Sequence, residues 1–531
     1  MRHEMTYDYV IVGAGSAGCV LADRLSENPA NRVLLLEAGP RDWNPFIHMP
    51  AGLAKLATNK SINWDYTTEP EANLDGRRLW WPRGKVLGGS SSINAMCYIR
   101  GAARDYDEWA DATGDSRWSW SNALKYFRKA EANERGADAW HGDSGPLSVS
   151  NLRHHNPLSE IFIEAAAAAG HPRTDDFNGD QQEGFGWYQV TQRNGARCST
   201  AVAYLSRARG RPNLEIRTHA QAERILLAGT RAVGIDYRHL GRLKRAEAGQ
   251  VILSGGAINS PQLLMLSGIG PADQLREVGV PLRHELSGVG SNLQDHLDIC
   301  SLSASSQAVT YDKTNDVAIG LEFMFKRTGI GTSNIAEAGG FLRSKYATDE
   351  RCDLQFHFVP ALLDDHGRNR LEGCGYTLHV CPLRPKSRGH LRLKSADPTQ
   401  PIAIHANYLS DAEGYDLKMM IEGARLSREI FSQSPFDAFR EREIFPGENV
   451  QDDREFEAFI RRKAETVYHP IGTCRMGQDS EAVVDSELRV HGLRGLSVVD
   501  ASVMPALPSG NTNAPTIMIA ERAAELMLGR P

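Results

Sequence analysis

The apolar positions open with an unbroken run, Tyr9-Val10-Ile11-Val12, the pattern of a parallel strand buried on both faces. Gly13-Ala14-Gly15-Ser16-Ala17-Gly18 follows directly, and Cys19, Val20, Leu21, Ala22 and Leu25 then mark a helix. A second run, Val33-Leu34-Leu35-Leu36, predicts a second strand, closed by Glu37. Residues 105–135 read as helical and charged, with Trp109, Trp118, Trp120 and Tyr126 as core anchors. Residues 142–192 mix helix and strand signals. Short apolar strands alternate with turns at 214–216, 224–227 and 232–235, and 251–253 returns to the first sheet. A helix with Ser260 as N-cap and Pro261 at its first position should stop at Ser267-Gly268. Residues 354–358 and 376–381 predict strands of a second sheet. The chain closes with a strand at 496–500 and a helix that Pro515 opens and Gly529 ends, with Ile517, Ala520, Ala524 and Leu528 on its apolar face.

At 531 residues the chain can bury a large core and divide into at least two domains. Its 41% apolar and 24% charged residues are those of a soluble globular protein. A net charge of −6 gives no electrostatic footprint for nucleic acid, which excludes that class of partner. Residues 1–8 lack the apolar core of a signal peptide, and no apolar run reaches the roughly 18 residues of a membrane span. The eight cysteines are scattered without a Cys-x-x-Cys pair, which suits a reducing cytoplasm better than a disulfide framework or a zinc site.

Each position of the glycine-rich turn has a physical task. Gly13 allows the tight turn, Gly15 lets the backbone approach a pyrophosphate, and Gly18 lets the helix pack against the strand. Ala14, Ser16 and Ala17 stand at the helix N-terminus, whose unpaired N–H groups and positive dipole end suit phosphates. Glu37, followed by Ala38, can accept from two ribose hydroxyls and disfavours a 2′-phosphate. The motif by itself does not separate FAD from NAD. Residues 39–64 lack periodicity and read as an excursion over this core, a lid or binding segment. In Arg83-Gly84-Lys85-Val86-Leu87-Gly88-Gly89-Ser90-Ser91-Ser92-Ile93-Asn94-Ala95, paired glycines and serines let N–H groups crowd around a polar ligand, with Asn94 at one edge. That is a second contact region of the kind a flavin needs for its ring as well as its ADP half. A polar connection, Gly290-Ser291-Asn292-Leu293-Gln294-Asp295-His296, leads into the second sheet. Tyr468-His469-Pro470 sets a histidine on a turn stiffened by proline. Gly510-Asn511-Thr512-Asn513-Ala514-Pro515-Thr516 leads into the last helix, whose positive end suits the negative charge of a reduced flavin. His154, His155, His357 and His379 read as surface or core groups, and no histidine spacing suggests a metal.

Together these stretches resemble the glucose–methanol–choline (GMC) oxidoreductases over essentially the whole chain. Residues 84–107 are similar to the family's first signature and 256–270 to its second, in order with the N-terminal fingerprint and the Tyr468-His469-Pro470 turn. The resemblance implies an α/β chain, α+β overall. A Rossmann-like FAD-binding domain (1–150, 213–300 and 462–531) would interleave with a substrate-binding domain (151–212 and 301–461) built on an antiparallel sheet with helices. It implies FAD rather than NAD. The flavin would be non-covalent, because Ile93 stands where some members carry an attaching histidine. Asp500-Ala501 matches a segment that contacts the flavin, and Ala222 is assigned to cofactor contact by the same likeness.

His469 matches the family's base. Its partner falls in 511–513, with Asn513 favoured and Asn511 the alternative. An alcohol is a poor hydride donor until its O–H proton leaves; a neutral His469 can take that proton, and Asn513 can donate to the developing alkoxide. The hydride would pass to flavin N5 and leave an aldehyde. Likeness to alkane-pathway members implies a primary, uncharged, aliphatic alcohol and a quinone-like electron acceptor. It also implies a cytoplasmic enzyme seated peripherally on the inner face of the cell membrane. Choline as substrate, oxygen as acceptor, and a non-redox lyase or photodecarboxylase are the alternatives this leaves standing. Residues 316–327, with Val317, Ile319, Leu321, Phe323, Met324 and Phe325 before Lys326-Arg327, read either as an exposed interfacial helix or as a buried helix of the substrate domain.

Overall fold

The computed structural model describes residues 6–369 and 371–529, so the chain-start expectation rests partly on residues 1–5 that lie outside it. Thr6–Val12 runs parallel to Val33–Leu36 on one side and to Arg242–Leu253 on the other. Leu214–Arg217 adds a parallel edge beyond Val33–Leu36. Arg242–Leu253 is long enough to belong to two layers. Its first half pairs antiparallel with Arg231–His239, which pairs in turn with Ala220–Ala228. Its last three residues pair parallel with Leu496–Val498. Val10, Ile11 and the whole of Val33–Leu36 are buried, as a run covered on both faces should be.

Two of the fingerprint glycines are sterically required. Gly13 has φ of +99°, and a Cβ there would lie 2.5 Å from the Ser254 carbonyl oxygen. A Cβ on Gly18 would lie 1.9 Å from the Gly13 oxygen, so the helix Ser16–Leu25 could not seat against its strand. The last helix, Asn513–Met527, packs on Ser16–Leu25. The buried ion pair of Arg24 with Glu521 joins the two, and Ser16 Oγ donates to Asn513 Oδ1 at 2.7 Å.

One boundary differs from the sequence reading. The helix predicted from Ser260 runs Gly256–Leu266 and contains Pro261 in its interior. Proline there leaves the carbonyl four residues back, Ala257, without its helical donor. Thr473 Oγ1 supplies one at 2.5 Å. Ser260 Oγ serves Asp500 instead of capping, and the helix still ends where Ser267-Gly268 said it should. The charged stretch near residue 105 forms Ala103–Thr113, a turn at Ser116–Trp118 and a second helix Trp120–Ala130. Trp109 and Trp118 are wholly buried against each other, while Trp120 and Tyr126 are half-buried.

The second sheet is antiparallel throughout, in the order Arg440–Phe445, Leu297–Ser305, Gly375–Pro382, Leu354–Val359, Ala338–Leu342, Gly184–Trp187. Cys300, His379, His357 and Gly339 are cross-strand partners in one row. Leu297 and Asp298 also pair with Thr466 and Glu465, so the edge of this sheet feeds directly into the turn at Tyr468-His469-Pro470. No helix among the described residues is long and apolar enough to cross a membrane. Asp316–Lys326 is the exposed alternative of the two readings: Phe323 is its buried residue, and Val317, Leu321, Met324 and Phe325 face outward.

Candidate active site

One cavity runs from the fingerprint to His469. Its wall includes Gly13, Gly15, Ser16, Ala17, Glu37, Ala38, Gly84, Gly89, Ser90, Asn94, Ala95, Ala222, Asp500, Ala501, Asn511, Asn513 and Thr516. Six predicted contact residues stand behind that wall. Gly18 packs on Gly13, Val86 is buried in a small cluster with Ile47, and Lys85 lays its Nζ over Trp64 at 4.4 Å. Gly88, at φ +88°, turns the chain toward Ala14, whose carbonyl accepts from the Gly88 N–H at 2.7 Å. Pro515 is buried in the last helix. These six shape the site and do not line it.

The nucleotide half fits a dinucleotide. A Cβ on Gly89 would lie 2.6 Å from Gly15 Cα, so the two glycine turns approach each other as a shared backbone cradle. Ser254 Oγ is buried on the wall without a partner. Glu37 accepts from Ala14 N at 2.9 Å and Gly39 N at 2.8 Å, and burial pushes its carboxyl up to about 7. Asp500 behaves differently from a ligand contact. Its oxygens accept from Gly256 N, Ser260 Oγ, Ser502 N and Ser502 Oγ, which fixes the start of one helix and caps the turn Ala501–Val503.

The turn that presents His469 is strained and held from several sides. Tyr468 has φ of +71°, a region unfavourable to a bulky side chain. Thr466 Oγ1 accepts from Tyr468 N at 2.8 Å, and the Arg83 guanidinium donates to the Tyr468 carbonyl at 2.8 Å. Asp295 Oδ1 accepts from His469 N at 2.7 Å, while its other oxygen takes the hydroxyls of Thr466 and Tyr408. His469 is buried, and its imidazole is held well below its usual pKa, first by desolvation and then by His296, His357 and the Arg83 cation.

Asn511, and not Asn513, faces this histidine. Asn511 Nδ2 lies 3.1 Å from His469 Nε2, and Gln355 Nε2 donates to Asn511 Oδ1 at 2.9 Å, which aims the amide nitrogen at the ring. Asn513 is the first residue of the last helix and its oxygen is bound to Ser16. Both asparagines lie in the stretch 511–513 that the sequence singled out, and the start of the last helix turns them to different neighbours.

Two histidines read as core or surface groups also line the cavity. His357 Nε2 lies 3.1 Å from Gln355 Nε2, and its Nδ1 is buried without a partner. His379 Nδ1 donates to Asp298 Oδ2 at 2.6 Å, beside Cys300 Sγ at 3.1 Å, and Asp298 Oδ1 is buried and unpaired. Sequence spacing missed this Asp298–Cys300–His379 group because strand pairing, not proximity in the chain, assembles it.

Comparison with known proteins agrees with this geometry. The N-terminal GMC oxidoreductase profile matches residues 7–298 and the C-terminal one residues 385–520. The chain is 52% identical to "alcohol dehydrogenase [acceptor]" of Pseudomonas putida, over 98% of this chain and 96% of that protein. It is 49% identical to the mitochondrial choline dehydrogenase of Homo sapiens, over 99% and 90%. The crystal structure of pyridoxine 4-oxidase from Mesorbium loti superposes with a TM-score of 0.89 at 36% identity, covering 98% of this chain and 99% of that one. This chain therefore belongs to the GMC oxidoreductase family, and is a flavoenzyme that holds FAD and oxidises an alcohol group.

Proposed function

We propose that the enzyme oxidises a primary, uncharged, aliphatic alcohol to the aldehyde, with His469 as base and Asn511 as its partner. The observation that carries this is the buried, neutral His469 with Nε2 turned to the Asn511 amide on the cavity wall. A base must be deprotonated at working pH and within hydrogen-bond reach of the proton it takes. Burial supplies the first condition and the strained turn the second. Asn511 Nδ2 has a second hydrogen for the alcohol oxygen, where charge grows as the proton leaves. His357 Nδ1 is a further unpaired polar atom on a residue of the same wall. FAD, when bound, supplies the hydride acceptor.

The substrate end supports an uncharged chain. Val359, Leu363, Val467 and Phe445 line it, and the carboxylates of Asp364, Asp365 and Glu465 are paired with Lys463, Arg368 and Arg77. Trp64, an indole on the wall, already carries Lys85 over its ring, which takes one face from any cation cage. Choline is the second reading, and one observation favours it: Asp298 Oδ1 is a buried carboxylate oxygen on the wall without a partner. The test is anaerobic bleaching of the flavin by n-alkanols and by choline. Faster bleaching by choline than by any alkanol would overturn the substrate reading. Bleaching by none of them would overturn alcohol oxidation.

For the electron acceptor the reading is a quinone-like molecule drawn from a membrane surface, with the enzyme peripheral on its cytoplasmic side. The "acceptor" in the name of the Pseudomonas putida relative supports it, and so does the helix Asp316–Lys326. Val317, Leu321, Met324 and Phe325 are 71%, 49%, 62% and 78% exposed and share one helical face. Lys326 and Arg327 follow at its end, a basic finish suited to anionic lipid. Lys55 pairs with Asp316 at 2.7 Å, and Lys55 lies in the helix Leu53–Ala57, whose Leu53, Ala54 and Ala57 line the cavity. The helix that carries the apolar face is thus tied to a segment of the cavity wall.

A further inference from the structure

Between Arg242–Leu253 and the second sheet, the polar connection ending in Asp295-His296 reaches His469 twice, through Asp295 at its backbone and through His296 at its ring. His296 is wholly buried and edge-on to His469, with ring centroids 5.2 Å apart at 87°. Its Nε2 is 3.0 Å from the Leu383 carbonyl oxygen and its Nδ1 is 2.9 Å from His469 Nδ1.

Only one arrangement of protons satisfies these contacts. A carbonyl oxygen can only accept, so His296 Nε2 carries the hydrogen. Burial holds the His296 pKa down, to about 4, so the ring is neutral and its Nδ1 is bare. Two bare nitrogens cannot share a 2.9 Å contact, so His469 Nδ1 carries a hydrogen and donates it. His469 is itself neutral, which leaves its Nε2 as the bare lone pair. The opposite end of the chain agrees. Tyr188 donates its hydroxyl to the Phe356 carbonyl at 2.7 Å and so accepts from Gln355 Nε2 at 3.3 Å. That fixes the Gln355 amide, which fixes Asn511, which presents N–H to His469 Nε2. From Gln355 through Asn511, His469 and His296, every hydrogen bond donates toward Leu383.

We propose that His296 is the positioning residue that places the proton of His469 on Nδ1 and so leaves Nε2 unprotonated, able to receive the alcohol proton once the alcohol O–H takes the place of the Asn511 N–H there. This rests on the reading of His469 as the base. In the step itself the alcohol O–H bond breaks, an N–H bond forms at Nε2, and the Nδ1–H stays bonded to His296, so the imidazolium that results still has an acceptor on its inner side. Without His296 the Nδ1–H would be buried with no acceptor, and the tautomer with hydrogen on Nε2, which cannot act as base, would gain population.

The experiment uses the FAD-loaded enzyme labelled with ¹⁵N-histidine, His469 being assigned by comparison with His469→Gln. At neutral pH the expected spectrum shows His469 protonated at Nδ1 and bare at Nε2. His296→Asn keeps an acceptor near Nδ1; it should retain that spectrum and reduce the flavin within roughly tenfold of wild type. His296→Phe removes the acceptor; it should show hydrogen on Nε2 and lose roughly 10²-fold or more in flavin reduction, with bound FAD retained. Hydrogen on Nε2 in wild type would overturn the proposal, as would a His296→Phe enzyme that reduces FAD within threefold of wild type over the whole pH range. Should His296→Phe not fold, the wild-type and His296→Asn spectra decide. An active His469→Ala enzyme would instead sink the base assignment while leaving the tautomer result standing.

Discussion

At the scale of single residues the site turns on one imidazole nitrogen. His469→Ala should keep FAD and lose roughly 10²–10⁴-fold in flavin reduction by alcohol, the ordinary range for removing a positioned base. Rapid-mixing rates within threefold of wild type would remove His469 from that role. Asn511→Ala should cost roughly 10²-fold in the same rate, since it deletes the donor beside Nε2. Asn513→Ala breaks the link to Ser16 and should show chiefly in FAD affinity. A larger rate loss at Asn513 than at Asn511 would reverse the assignment. The pH dependence has a definite sign. A histidine whose pKa lies below 6.5 in the folded enzyme stays unprotonated as pH falls past 6.5, and only deeper acid puts a proton on Nε2. Flavin reduction at saturating alcohol should therefore be level between about pH 8 and 6.5 and decline only below that. An acid limb centred above 6.5 would contradict the buried, cation-flanked setting by Arg83.

At the scale of elements, the legible parts were those whose signal is local. The βαβ unit showed itself because its strand, turn and helix follow one another in one short stretch, with Gly18 packed on Gly13, although the clash that demands glycine at 13 comes from Ser254. The strands at 354–358 and 376–381 showed because apolar residues recur at every second position, Leu354, Phe356, Phe358 and Tyr376, Leu378, Val380; they are Leu354–Val359 and Gly375–Pro382. The start of Gly256–Leu266 was misread because the group that makes Pro261 tolerable in the helix, Thr473, lies far along the chain. Asn513 was favoured over Asn511, and His357 was read away from the site, for the same reason: Gln355 lies beside both that amide and that ring on a strand that no spacing rule connects to residue 511. The segment around Gly89–Ser92 carries a prediction of its own. Ile93 is buried on the cavity wall and offers no nucleophile, so acid precipitation should release free yellow FAD. Flavin that stays with the precipitated chain would show a covalent link, for which Cys97, also on the wall, would be the first residue to test.

At the scale of the whole molecule, two sheets of different kind meet at one cavity. The parallel-centred sheet sets a nucleotide cradle, and the antiparallel sheet sets the substrate wall. The turn at Tyr468-His469-Pro470 is tied to both, through Thr473 to Gly256–Leu266 and through Thr466 to Leu297. What neither sheet accounts for is the apolar face of Asp316–Lys326. An outward stripe of Val317, Leu321, Met324 and Phe325 exposes surface that is ordinarily covered, and the Lys55–Asp316 pair ties that helix to Leu53–Ala57, part of the cavity wall. Replacing those four residues with serine or glutamine should leave alcohol oxidation with a soluble dye unchanged, because none of them lines the cavity. The same variant should lose co-sedimentation with vesicles containing anionic lipid and lose turnover with a quinone dissolved in those vesicles. Dissolved oxygen is the control acceptor. If wild type turns over as fast with oxygen as with the quinone, the enzyme is an oxidase, and the exposed helix must be explained by some other partner. If the four-residue variant sediments with vesicles as fully as wild type, the membrane seat is wrong even where the quinone proves right.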